Sequence, residues 1–431
     1  MSTTVSPMTA QQRRTAKRAV IASSVGNALE WFDIIVYASF AVVISRLFFP
    51  DASGATGLLF TFGAFATSYL IRPLGALVLG SYADRRSRKA ALTVTIAIMT
   101  LGTGLMAVAP TAAVIGPAAG LVILASRLLQ GFSAGGEFGT ATTFLVENAP
   151  QRKAFYASWQ VATQGAALFL ASIFGFGLNV FLSTDALNSW GWRVPFFFGL
   201  LVGPVGLWIR LRMDETPEFV TAEKVKSPVL TTLTEHGGRV LSSTLAVGLA
   251  SVSVYLILYM PTFAVTNLEL PRYAGYLGGI ISGLVTLVGV PFVGRLADRV
   301  GPLAIMLPTA GVAIVLALPL FALLVAHPSV LALTLVQIVL GIQMALYFGP
   351  LPALLSFLYP TQVRTTGLSI AYNVGVTLFG GFAPIILTAL ISASGSLLAP
   401  SWYLMVVAVV SAIGLLVIRR KGYLDTPRRR G

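Results

Sequence analysis

The sequence predicts an all-α membrane protein, with twelve transmembrane helices arranged as two pseudo-symmetric six-helix bundles. Apolar runs of about 20 residues, the length of a membrane-crossing helix, recur along the 431-residue chain. Only 10% of the residues are charged, whereas a soluble domain carries about 25%. The two halves also share a repeated motif. Helices are the expected spanning structure, because lipid offers backbone groups no hydrogen-bond partners.

The apolar runs divide the chain into predicted spans. These cover residues 19–49, 55–80, 89–109, 117–148, 154–182, 194–212, 240–266, 273–297, 302–326, 329–358, 363–392 and 402–419. A long hydrophilic connection at 213–239 separates a first bundle (1–212) from a second (240–431). Its prolines and its Gly237–Gly238 pair favour a tether with one short surface helix.

Basic residues alternate between the connections. Every second connection is rich in lysine and arginine, whereas the intervening loops carry only the single arginines Arg46, Arg193 and Arg272. By the positive-inside rule, both termini are therefore cytoplasmic. This placement accounts for the net charge of +14 without nucleic acid, which we exclude as a partner. The first span is too long and too acidic for a cleaved signal peptide.

A repeated motif relates the two halves. The sequence GSYADRRSRKA at Gly80–Ala90 closes span two, and GRLADRVGPLA at Gly294–Ala304 closes span eight. A second pairing aligns the ends of spans four and ten at Pro150 and Pro360. Parallel six-span repeats with a binding site near the midplane between them are a known transporter plan.

The first span carries two acids deep in its apolar run. Glu30 and Asp33 are three residues apart, so a helix presents them on one face. A carboxylate at membrane depth costs roughly 2.5–3.5 kcal/mol even on the lenient insertion scale. The functional interpretation is that these acids load and release protons near neutral pH. The alternative is a permanent ion pair with Arg72 or Arg127 that only holds helices together.

Other spans place polar residues at similar depth, roughly 17 Å from the cytoplasmic end for Glu30 and Glu137. At this depth the first half carries the ionisable groups, and the equivalent positions of the second half carry neutral polar residues. The residues expected in proton coupling are Asp33, Glu30, Arg127 and Glu137. Those expected to bind substrate are Arg72, Gln164, Tyr255, Tyr347, Tyr372 and Asn373. Tyr372, Asn373 and Gln164 could instead form ordinary interhelical hydrogen bonds.

The Gly–Asp–Arg loops at the span ends predict a cytoplasmic salt-bridged latch between neighbouring helices. Its expected members are Gly80, Asp84, Arg85, Arg88, Glu147, Arg152, Asp298 and Arg299. In span four, Gly131, Gly135 and Gly139 are spaced by four, which favours close helix packing rather than binding.

Several enzyme signatures are missing from the sequence. It contains no phosphate-binding loop of the Gly-x-x-x-x-Gly-Lys-Ser/Thr type, so ATP is not expected to drive this protein in cis. It has no cysteine and only two histidines, His236 and His327, so thiol catalysis and a zinc site are excluded. We therefore expect no enzyme, no metal and no cofactor, with a proton gradient as the driving force.

At these residues the chain resembles the major facilitator superfamily, and within it the metabolite:proton symporters for citrate or tricarballylate, α-ketoglutarate, shikimate, and proline or betaine. The resemblance covers about residues 20–420 and is carried by GNALEWFD (Gly26–Asp33), IRPLG (Ile71–Gly75), the loop after Gly80, RLLQGFSAGGEFG (Arg127–Gly139), WGWRVPFFFG (Trp190–Gly199) and RTTGLSIAYNVGVTLFGGFAP (Arg364–Pro384). Ser87 and Pro302 depart from the usual loop, where Gly and Arg are typical.

The resemblance implies proton-coupled uptake across a bacterial inner membrane by alternating access. It carries the latch role to Asp84, Arg85, Arg88, Asp298 and Arg299, and a coupling role to Arg127. We predict a symporter, monomeric in the lipid bilayer, that imports a small organic anion such as citrate or α-ketoglutarate together with protons. The short C-terminal tail favours an organic anion. The alternatives are a symporter of the zwitterions betaine or proline, and a non-transporting membrane receptor.

Overall fold

The computed structural model describes residues 10–52, 54–85, 88–147, 149, 151–211 and 228–424. Within these ranges all regular secondary structure is helical, so the predicted class is confirmed. Each predicted span has a helical counterpart. We number the helices α1 to α19 and group them into spans one to twelve.

Six spans come from the first half. Span one is α1 (Ala10–Ser39) with α2 (Ala41–Phe48), span two is α3 (Gly54–Leu70) with α4 (Arg72–Arg85), span three is α5 (Arg88–Ala107), span four is α7 (Ala118–Ala134) with α8 (Glu137–Glu147), span five is α9 (Lys153–Phe181) and span six is α11 (Val194–Leu211). The short helices α6 (Ala112–Ile115) and α10 (Thr184–Ser189) lie in loops.

Six more spans follow. Span seven is α12 (Pro228–Thr266), span eight is α13 (Ala274–Val300), span nine is α14 (Pro302–Ala326), span ten is α15 (Val330–Phe348) with α16 (Leu351–Phe357), span eleven is α17 (Arg364–Val376) continued by a π-helical turn (Thr377–Gly381) and α18 (Ala383–Ser394), and span twelve is α19 (Ala399–Arg420). Span seven begins inside the predicted linker, with a kink at His236. The domain boundaries stay a prediction, because residues 212–227 lie outside the described ranges.

Nine helical spans in the described residues are long and apolar enough to cross a membrane. Span one makes a tenth if its two helices, which bend by 67° between Asn27–Ser39 and Ala41–Phe48, are counted together. Spans three and six are helical where predicted, but their described residues do not meet the same test of length and hydropathy.

Breaks inside spans two and four place polar residues at helix starts within the bundle. In span two, α3 ends at Leu70 and α4 starts at Arg72. Pro73 has no N–H and its ring would clash with the preceding turn, so it cannot continue α3 smoothly. In span four, Gly135 and Gly136 separate α7 from α8, which starts at Glu137.

The two halves touch along several span pairs. Span five packs along span eight with little side chain between them, because Gly165 faces the backbone at Leu287 and Gly283 faces the backbone at Phe169. Small residues of this kind let membrane helices approach closely. On the side opposite the termini, the Tyr276 hydroxyl donates to the Ser39 carbonyl at 2.8 Å. Contacts between the halves therefore exist in the middle of the bundle and on the side opposite the termini.

The crossing of spans two and four rests on glycine. A side chain at Gly131 would overlap the Ser68 carbonyl, and one at Gly135 would overlap the Arg72 carbonyl. We expect Gly131→Leu to force the helices apart at an overpacking cost of at least about 1–3 kcal/mol. The measurement is the monodisperse fraction of detergent-solubilised protein by size-exclusion chromatography.

The matched control for this change is Gly63→Leu, also in the paired spans. A Cβ atom at Gly63 meets no heavy atom within 4 Å, so this variant is expected to behave as wild type. Equal monodispersity of the two variants would contradict the role assigned to the crossing.

Candidate functional site

Both acids of span one are buried inside the protein and face arginines from other spans. Glu30 is 6% exposed and Asp33 is 1% exposed. A guanidinium nitrogen of Arg72 lies 3.2 Å from Glu30, and one of Arg127 lies 2.6 Å from Asp33. The acids therefore point at spans two and four and not at the acyl chains. The structure forms two ion pairs, one helical turn apart along span one.

Arg72 sits where a cation needs compensation. It is the first residue of α4, and the N-terminal end of a helix carries partial positive charge. Glu30 supplies the opposite charge, and the ring of Tyr69 lies 4.2 Å from the guanidinium carbon, which suits a cation–π contact. The Nε atom of Arg72 is buried and has no hydrogen-bond partner. Arg72 therefore keeps one buried donor that a bound carboxylate could engage.

The described contacts of the Asp33–Arg127 pair come from the first half. Both side chains are 1% exposed, and the guanidinium carbon of Arg127 lies 4.3 Å from the centre of the Tyr37 ring. Thr103 and Gln130 flank Asp33, and Gln130 donates to the Thr103 hydroxyl at 3.2 Å. Loss of the negative charge of Asp33 would weaken this pair, because a neutral carboxyl group attracts the guanidinium less.

The second half contributes an uncharged surface next to Arg72. Tyr255 and Tyr372 lie within electrostatic range of the guanidinium, and the Tyr255 hydroxyl contacts the Tyr69 hydroxyl. Tyr372 stacks on Phe138, with ring centres 3.4 Å apart. These contacts join spans seven and eleven to spans two and four across the central interface.

Asn373 and Tyr347 differ in what they touch. Asn373 donates to the Gly135 carbonyl at 3.0 Å and so bridges spans eleven and four. Tyr347 donates to the Ala246 carbonyl at 2.9 Å, a contact within the second half. The described contacts thus place Asn373 at the interface between the halves and use the Tyr347 hydroxyl inside the second bundle.

Several buried polar atoms near Arg72 and the interface between the halves lack hydrogen-bond partners. They are both side-chain heteroatoms of Gln164, the Tyr372 hydroxyl, the Asn373 Oδ1 atom and the Arg72 Nε atom. Each such group carries a desolvation cost of about 1–3 kcal/mol. Gln164 lies beside Tyr372, so these atoms form a polar cluster that a bound polar molecule would satisfy.

Glu137 occupies the first position of α8 and is 5% exposed. The N-terminal end of a helix stabilises a negative charge, which gives this acid a structural reason to be buried there. Its expected part in proton coupling stays a prediction.

The residues of the predicted latch, at the end of the bundle that holds the termini, fall into two groups. Asp298 accepts the backbone N–H groups of Ala154 at 2.8 Å and Phe155 at 3.0 Å, so it caps span five across the two halves. Arg152 lies within electrostatic range of Asp298, and Arg299 is exposed beside it. The side chains of Asp84, Arg85 and Arg88, and the surroundings of Gly80, lie outside the described residues.

Glu147 forms a second contact between the halves at the same end of the bundle. One of its carboxylate oxygens lies 3.9 Å from Arg364 at the start of span eleven. Arg364 also donates to the Ser356 carbonyl at 3.0 Å. Spans four and eleven are therefore joined at this end by an ion pair.

Sequence reasoning missed three residues of the site, Tyr69, Tyr37 and Thr103. Spacing could have found two of them, because Tyr69 precedes Arg72 by three positions and Tyr37 follows Asp33 by four. No local signal indicates Thr103, which reaches Asp33 only through the packing of span three.

Comparisons with known proteins agree with this fold. The family model described as Major Facilitator Superfamily matches residues 28–384. A citrate-proton symporter of Salmonella typhi is 36% identical over 94% of this chain and 95% of that protein. A proline/betaine transporter of Salmonella typhimurium (strain LT2) is 32% identical over 92% of this chain and 82% of that protein. The crystal structure of a D-xylose-proton symporter superposes with a TM-score of 0.73 at 15% identity, covering 92% of this chain and 97% of that one.

Proposed function

Since this chain belongs to the major facilitator superfamily, we propose that it is a proton-coupled symporter that imports a small organic anion, a di- or tricarboxylate such as citrate, by alternating access. It is a multi-pass membrane protein. We also propose that it lies in a bacterial inner membrane with both termini cytoplasmic. It is monomeric and is driven by a proton gradient without any cofactor.

The observation that carries the proposal is the pair of buried acid–arginine contacts one turn apart on span one. A purely structural ion pair gives little stability in a membrane core, because desolvation offsets the attraction. The two pairs lie beside the polar cluster with unpaired atoms at the interface between the halves. This arrangement suits a binding site in which charged groups change partners during the transport cycle.

Substrate binding centres on Arg72. The carboxylate of the substrate competes with Glu30 for this guanidinium, whose planar fork matches a carboxylate in two parallel hydrogen bonds. Gln164 and Tyr372 supply further hydrogen bonds from the polar cluster. Tyr255 closes the site from the second half, since its hydroxyl contacts Tyr69 directly beneath the guanidinium.

Proton coupling centres on Asp33. Protonation from outside neutralises this carboxylate and weakens its 2.6 Å contact with Arg127, which lets spans one and four shift. The loaded carrier then opens toward the cytoplasm, where the Glu147–Arg364 contact and the Asp298 cap on span five must separate. Release of the proton restores the Asp33–Arg127 pair and resets the cycle.

A zwitterion carrier is the second candidate, because the proline/betaine transporter of Salmonella typhimurium also aligns over nearly the whole chain. A counterflow panel in proteoliposomes separates the two. Citrate, α-ketoglutarate, shikimate and betaine are each tested for exchange with labelled citrate. We expect the carboxylates to exchange and betaine not to, because the carboxylate of betaine is attached to a trimethylammonium group that would lie close to the Arg72 guanidinium and be repelled by it.

Labelled betaine is assayed in parallel with the same vesicles. If betaine exchanges and no carboxylate does, the substrate is a zwitterion and not an organic anion, and the proposed symport cycle still holds. Vesicles in which no solute exchanges would instead favour a receptor.

A further inference from the structure

On the side of the bundle opposite the termini, two arginines, Arg46 and Arg272, lie at the interface between the two halves. Arg46 lies in α2, near the end of span one, and is exposed. It is one of the few arginines in loops or span ends that positive-inside placement leaves unexplained. None of the described ion pairs uses it. The position of this cation therefore calls for an explanation other than membrane topology or a described ion pair.

Arg46 lines two cavities that both halves enclose. The larger, with a volume of about 410 Å³, has Arg46 as the only charged side chain among its described lining residues. Its polar lining is otherwise made of hydroxyl and amide groups, from Ser45, Thr266, Asn267, Thr388 and Ser392. The smaller, about 30 Å³, holds Arg46 together with Arg272. Arg46 also lines a third cavity of about 410 Å³, whose described lining belongs to the first half and includes Asp51.

The chemistry of the larger cavity suits a carboxylate. Its volume falls in the range of about 300–1,000 Å³ that is typical of small-molecule sites. It offers a fork of guanidinium donors and several neutral hydrogen-bond donors, and its described lining includes no acid. Asp51 shares only the neighbouring cavity with Arg46. A cation, or the cationic end of a zwitterion, would find no counter-charge among the described lining residues.

A barrier of aromatic residues separates this cavity from Arg72. Tyr259 lines the cavity, accepts a hydrogen bond from Thr388 at 3.2 Å, and packs against Phe62 at 5.9 Å between ring centres. One turn deeper on span seven, Tyr255 contacts Tyr69, whose ring lies against Arg72. The order along the interface is Arg46, two aromatic layers, then Arg72.

We propose that the Arg46 cavity is an outer loading site, where an anionic carboxylate substrate binds before it passes the tyrosine layers to Arg72. This inference rests on the proposed function. The site holds the anion while Tyr259 and Tyr255 still block the path to Arg72. It therefore raises the substrate concentration near the outer entrance and has no effect on the cytoplasmic side.

The test compares Arg46→Gln, Arg46→Lys and a matched Arg420→Gln variant in oriented proteoliposomes. Arg420 is exposed at the opposite end of the bundle, at the end of span twelve. With labelled citrate we expect Arg46→Gln to raise the external KM by about tenfold, the effect of losing one exposed charge-assisted contact. Its maximal rate and its KM from the cytoplasmic side should stay within about twofold of wild type. Arg46→Lys should recover most of the external affinity.

The outcomes are distinct. Wild-type transport with an external KM that Arg46→Gln leaves unchanged would overturn the loading site and leave the proposed function intact. An equal rise in KM from both sides would also overturn it, because that would place Arg46 in the shared central site. Wild-type vesicles that transport no carboxylate would instead overturn the proposed function.

Discussion

Asp33→Asn is expected to abolish proton-driven accumulation of substrate while counterflow exchange continues. Asparagine is nearly isosteric with the protonated carboxyl group but cannot release a proton, so the variant should remain in the loaded form. An imposed gradient of two pH units stores about 2.7 kcal/mol per proton, which sets a roughly hundredfold accumulation ratio for one coupled proton. We expect this ratio to fall to near one, and the wild-type increase in uptake at low external pH to disappear.

The control addresses the charge that this change leaves behind. Arg127 is 1% exposed, and an unpaired buried charge costs about 3–5 kcal/mol. The double variant Asp33→Asn with Arg127→Gln removes that charge and should restore any lost folding without restoring accumulation. Glu30→Gln, in the neighbouring pair, should retain the pH dependence. Uphill accumulation by Asp33→Asn with an unchanged pH profile would show that another group carries the proton.

Arg72→Gln is expected to raise the KM for citrate by roughly 30- to 150-fold in counterflow. That range corresponds to the loss of about 2–3 kcal/mol, a typical value for hydrogen bonds to a charged group. Arg72→Lys should recover only part of the affinity, because an ammonium group lacks the planar fork. Counterflow over a range of substrate concentrations separates the KM from the maximal rate.

The comparison variant for this experiment is Glu30→Gln with Arg72→Gln, which removes both members of the ion pair. Equally weak citrate binding by the single and double variants would assign the loss to the missing guanidinium rather than to an orphaned Glu30 carboxylate. Wild-type affinity in the double variant would mean that Arg72 only balances Glu30, which is the structural alternative.

Patterns along the chain were sufficient for the architecture. Hydropathy located the helical spans to within a few residues at most ends, because an apolar segment of about 20 residues can pair all its backbone groups in lipid by forming a helix. The same logic singled out Glu30, Asp33, Arg72 and Arg127, since an ionised group at membrane depth is too costly to be incidental. The larger errors were the starts of spans one and seven, where helices extend beyond the apolar run into polar sequence.

Only the tertiary structure decided which groups meet. The sequence left Arg72 and Arg127 as equal partners for the acids, and packing assigned Arg72 to Glu30 and Arg127 to Asp33. It also turned Tyr347 toward Ala246 in its own half and set Glu147 against Arg364. Periodicity specifies which face of one helix is polar, but the rotation and height of that helix against another depend on contacts between distant residues, such as the glycine crossing of spans two and four.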